Sequence, residues 1–110
     1  MYENIKAAVM GSINMDIILS AERLPDVGEN VLGSSYSYAF GGKGANQATG
    51  LARLGAEVKM IGKVADDGNG NSLLENLRNQ GIDVSGVATD GSSTGLAAIL
   101  IDGEGRNRII

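Results

Sequence analysis

The chain has 110 residues, 43% of them hydrophobic and 20% charged, a balance that excludes a disordered segment and leaves room for one sizeable core. Its formal charge of -4 argues against a broad surface for nucleic acid or anionic lipid; the lack of cysteine excludes disulfides and thiol chemistry, and with no histidine any metal site would be built from carboxylates or carbonyls, so a zinc enzyme is not expected. No basic start leads into an apolar stretch, and no run of about 18 apolar residues occurs, so neither a secretory signal nor a membrane span is expected and the cytoplasm is the expected location.

The 17 glycines have no three-residue period and are read as sharp turns and close backbone approaches. Residues 5–10 read as a buried central strand closed by Gly11, and residues 15–19 as a second short apolar strand before the turn at Pro25, Asp26 and Gly28. Residues 31–40 alternate, with Tyr36, Tyr38 and Phe40 on one side, and predict a strand with an aromatic face that packs either in a core or in a lid or subunit contact. The Gly41-Gly42 pair ends it. Residues 43–54 then return Ala45, Ala48, Leu51 and Ala52 at helical spacing, with Gly55 as the stop.

A strand is predicted over residues 57–64, then a turn through Asp66, Asp67 and Gly68, and a helix carrying Leu73, Leu74 and Leu77 that stops before Gly81. Residues 82–88 and 94–101 are further strands separated by Asp90-Gly91, and residues 107–110 enter another strand. Strand, hairpin-like insert, helix, strand, helix, strand describes an α/β layer carrying a small sheet. With an edge begun at the last residues, a truncated domain is expected, the alternative being a short native chain that uses Ile109 and Ile110 as its terminal strand.

Two constellations can carry chemistry. Asn14 and Asp16 are two apart, so an extended backbone points both to one side, where amide and carboxylate suit a neutral polyol; the competing role is fixing a loop through local backbone bonds. In the run from Gly41 to Ala48, Gly41, Gly42 and Gly44 surround Lys43. There the backbone can approach a ligand and the helix entrance offers unsatisfied amides, with Asn46 three residues on from Lys43; a tight corner with a solvated lysine is the alternative. Neither phosphate fingerprint applies. Gly42-Lys43 is followed by Gly44 with Ser37 at the required earlier glycine, which excludes a Walker loop, and Gln47 stands where a dinucleotide fingerprint needs glycine. Asp66 and Asp67 are read as helix capping before cation binding. Residues 94–101 either cover a site or simply extend a sheet.

Taken together, Gly11-Ser12-Ile13-Asn14-Met15-Asp16, Leu24-Pro25-Asp26-Val27-Gly28-Glu29 and Gly41-Gly42-Lys43-Gly44-Ala45-Asn46-Gln47-Ala48 closely resemble the ribokinase-like (PfkB) carbohydrate kinases. Leu54-Gly55-Ala56, the run from Val64 to Gly70, Gln80-Gly81-Ile82 and Ser93-Thr94-Gly95 continue the match in order, over essentially the whole chain. The resemblance implies the amino-terminal part of a three-layer α/β domain with a small β-sheet lid, the lid elements at about residues 15–20, 31–40 and 94–110. It further implies that Asn14 and Asp16 bind sugar hydroxyls, with Gly41, Gly42, Lys43 and Asn46 completing that side of the pocket. Met15 departs from the small residue common in the family.

The family's general base lies in a Gly-Ala-Gly-Asp segment that this sequence lacks, so no catalytic residue and no metal ligand is assigned, and the isolated chain is expected to be inactive. ATP, magnesium, activation by a monovalent cation and a homodimer through the lid are implied for an intact enzyme. That enzyme would phosphorylate ribose at O5, or another furanose-like sugar or a nucleoside. A non-catalytic sugar-binding module is the alternative for the chain alone. No nucleic-acid or membrane partner is expected.

Overall fold

In the computed structural model, which describes all of residues 1–110, the apolar runs become β1 (Lys6–Met10), β2 (Asn14–Ser20), β3 (Ser35–Gly41), α1 (Lys43–Arg53), β4 (Glu57–Val64), α2 (Gly68–Asn79), β5 (Asp83–Thr89), β6 (Leu96–Ile101) and β7 (Asn107–Ile109). The strands make a three-stranded sheet ordered β1-β4-β5 and a four-stranded sheet ordered β3-β2-β6-β7. The backbone divides into two units, Met1–Met15 with Phe40–Gly95, and Asp16–Ala39 with Leu96–Ile110.

In the first unit β4 runs parallel to both neighbours, with Lys6 opposite Glu57 and Met10 opposite Ile61, and with a register shift toward β5 between Lys59 and Ile61. Helix α1 packs on β1 and β4, and α2 on β5. The alternation of β4 explains the arrangement: Val58, Met60 and Val64 are buried while Glu57 and Lys59 are exposed. Ala48 is fully buried, and the small stripe it shares with Ala45 lets α1 lie close to the sheet. Leu73, Leu74 and Leu77 do the same work for α2 with larger side chains, each burial contributing about 1.5–3 kcal/mol. Strand β1 corrects the expectation of a buried central strand. It is an edge strand of this sheet with only Val9 buried, and Met10 is 79% exposed, because the face away from the helices carries no covering layer in this unit.

In the second unit β6 and β7 are antiparallel, with Ile99 opposite Ile109 and Ile101 opposite Asn107. Strand β3 starts at Ser35 and not at residue 31; just before it, the Ser34 amide and hydroxyl both donate to the carbonyl of Ser20, the last residue of β2. Tyr36 and Tyr38 are exposed and meet edge to face with ring centres 6.4 Å apart, so the aromatic face is not core packing. The strand expected from residue 94 begins at Leu96, because Thr94 is held elsewhere, as described next.

Candidate functional site

The turn from β1 to β2 is pressed onto the start of α1. Gly42 has φ 102°, in the left-handed region, and a Cβ there would lie 2.4 Å from the Ser12 carbonyl oxygen. A Cβ on Gly44 would lie 2.7 Å from the Gly11 backbone, and one on Gly11 2.9 Å from the Gly44 Cα. Glycine is therefore needed on both sides of the contact. Ser12 uses it: its Oγ accepts from the Lys43 amide at 3.0 Å and its carbonyl accepts from the Ala45 amide at 3.0 Å. This corrects the expectation that the first amides of α1 stand open to a ligand, since two of them are capped by Ser12. Sequence reading missed Ser12, whose partner lies 31 residues away.

A cleft of about 550 Å³ opens at the carboxyl ends of β1 and β4, lined by residues that include Gly11, Ser12, Asn14, Gly62, Lys63 and Gly95. Ligands of open parallel sheets bind outside the carboxyl ends of the strands. Asn14 and Asp16 are both half-buried and alternate with the buried Met15 along β2, as the two-residue spacing predicts. Asn14 belongs to the first unit together with Gly41, Gly42, Lys43 and Asn46, while Asp16 opens the second. Asn46 does not line the cleft of Asn14. It lines a groove of about 390 Å³ between α1 and α2, with Thr49, Arg53 and Asn76. Lys63, which the sequence did not single out, brings a cation to the cleft, where its Nζ is 2.6 Å from Asp90 Oδ1.

Asp67 takes the capping role favoured by the sequence. Its Oδ1 accepts from the Gly70 amide at 2.7 Å and from the Thr94 hydroxyl at 2.6 Å, and its Oδ2 accepts from the Thr94 amide at 2.9 Å. These bonds, the Thr94 hydroxyl first, hold its carboxyl below the usual Asp value. Asp66 is exposed.

Over residues 4–110 the sequence matches the family described as pfkB family carbohydrate kinase. The chain belongs to the pfkB family. Within it, the ribokinase of Bacillus subtilis is 44% identical over 108 residues, covering 93% of this chain and 35% of that protein. A deoxyribokinase of Salmonella typhi is 35% identical, covering 94% of this chain and 34% of that protein. The structure of an Arabidopsis thaliana ribokinase complexed with ribose and ATP superposes with a TM-score of 0.84 at 31% identity, covering all of this chain and 36% of that one. The fold class is thus that of the ribokinase-like α/β proteins, a central sheet with flanking helices and a small additional sheet. The chain spans about a third of the length of these pfkB relatives. No three Asp or Glu side chains gather in it to hold a metal ion. Neither helix is long and apolar enough to cross a membrane.

Proposed function

We propose that this chain forms the sugar-recognition part of an ATP-dependent pentose kinase acting on ribose at O5. Membership of the pfkB family over residues 4–110 carries the reading, and a cleft holding Asn14 at the carboxyl ends of parallel strands supports it. On this reading Asp16 accepts hydrogen bonds from sugar hydroxyls, and Asn14 both donates and accepts. Gly41, Gly42 and Lys43 are assigned to the pocket wall, the glycines through backbone approach, and Asn46 is assigned to the sugar from the start of α1, although in this structure it lines the separate groove and not the cleft of Asn14. ATP supplies the phosphoryl group, with magnesium and a monovalent cation as its companions, and the residues that hold these are assigned to the part of the relatives' length this chain does not span. Phosphoryl transfer rests on positioning and electrostatic stabilisation, so the 110 residues alone are inactive. The sheet of the second unit is assigned as the lid, a homodimer as the assembly through it, and the cytoplasm as the location.

A deoxypentose is the second acceptor, favoured by the Salmonella typhi relative. The test is phosphorylation by the intact protein with Mg-ATP against ribose, deoxyribose, fructose and nucleosides, with the 110-residue chain beside it. Ribose-dependent transfer by the intact protein only is expected. Preference for another acceptor replaces ribose, and transfer by the short chain overturns its assignment as inactive.

A further inference from the structure

Two matched segments, residues 64–70 and 93–95, have no part in the proposed chemistry, yet the structure ties them together and to the strand that bears Asn14. We propose that Asp67 and Thr94 are a positioning pair that fixes the backbone at Asn14 and so sets the affinity for the acceptor sugar without touching it. The inference rests on the reading of Asn14 as a sugar ligand.

Thr94 is 6% exposed and its hydroxyl is used twice, donating to Asp67 Oδ1 at 2.6 Å and accepting from the Ala65 amide at 3.0 Å. With its own amide on Asp67 Oδ2 at 2.9 Å, the residue is held through backbone and side chain together. The fit leaves no slack. A Cβ on Gly70 would lie 2.1 Å from the Ala65 carbonyl oxygen and 2.8 Å from the Thr94 hydroxyl. One residue further on, the Gly95 carbonyl accepts from the Met15 amide at 2.9 Å, and a Cβ on Gly95 would stand 3.4 Å from the Asn14 Cβ. A shift of Thr94 therefore passes through one peptide unit to the amide next to Asn14. A helix cap alone needs only the Asp67 bond to Gly70; three further bonds to or from Thr94 are what a cap does not require.

The test compares Thr94→Val, Thr94→Ser and Asp67→Asn in the intact protein, reading KM for sugar, KM for ATP, kcat and exchange of the Met15 amide. Thr94→Val is expected to raise the sugar KM about tenfold, leave kcat and the ATP KM within about twofold, and speed Met15 exchange. Thr94→Ser, which keeps the hydroxyl, is expected to restore both readouts. Asp67→Asn keeps one acceptor oxygen and loses the one facing the Thr94 amide, so a smaller rise in sugar KM is expected even if the valine variant does not fold. An unchanged sugar KM in a folded Thr94→Val or in Asp67→Asn overturns the proposal, as does an equal rise in both KM values. If the unsubstituted protein phosphorylates no sugar, the kinase reading fails by itself. In that case Met15 exchange that ignores Thr94→Val overturns the positioning pair as well.

Discussion

Gly44 and Asp16 are residues whose replacement tests architecture in one case and, under the proposed function, recognition in the other. Gly44→Ala drives a Cβ to 2.7 Å from backbone atoms of Gly11, which cannot rotate away as a side chain could. A loss of about 1–3 kcal/mol is expected, read as a lower denaturation midpoint in urea. Asp16→Ala removes a hydroxyl-bonding carboxylate under the proposed function. The expected outcome in the intact protein is weaker sugar binding with ATP binding nearly unchanged, checked by titrating each ligand separately. Equal loss of both with an intact fold counts against the assignment.

At the scale of elements, the turn between β2 and β3 is closed by charge. Arg23 donates to both carboxylate oxygens of Glu29 at 2.5 and 2.6 Å, and Glu29 Oε1 also accepts from the Asp26 amide at 3.0 Å. The Arg23 bonds first, then the Asp26 amide, bring the Glu29 carboxyl from 4.5 to about 2. At the turn between β6 and β7, burial is the largest influence on Asp102 and pushes it up. Bonds from Arg106 and the Glu104 amide nevertheless leave it below the usual value. A folded value below the unfolded one means the contribution to stability is present above the ordinary carboxylate range. It is lost as pH falls through the folded value. Unfolding midpoints are therefore expected to hold steady above about pH 5 and to decline toward about pH 2, and Glu29→Gln is expected to flatten part of that acid decline. An acid decline identical in Glu29→Gln would remove the turn from the account.

Across the whole molecule, burial is unequal. Every buried hydrophobic residue, from Val9 through Met60 to Ile82, falls in the first unit, and none in Asp16–Ala39 or Leu96–Ile110. Local opening is least costly where few apolar contacts must be broken. Amide hydrogen exchange is expected to be slowest in β4 and the inner turns of α1 and α2, and faster throughout β2, β3, β6 and β7 beyond Met15. Equal protection of the two units would show that the second is held by more than its own contacts.

The sequence by itself determined the α/β class, the order of the elements and the family, because these rest on local signals: alternation in β4, the alanine and leucine stripes of α1 and α2, and glycine stops such as Gly55 and Gly81. It also carried the pairing of Asn14 with Asp16 along one strand, a matter of two-residue spacing. What only the tertiary structure decided are contacts between residues far apart in the chain. Ser12 caps the start of α1, Thr94 belongs to Asp67 and not to β6, Lys63 reaches the cleft of Asn14, and Asn46 lines a separate groove. Even the edge position of β1 was hidden, because an apolar run reads alike whether one face or both are covered, and coverage is set by which elements pack there.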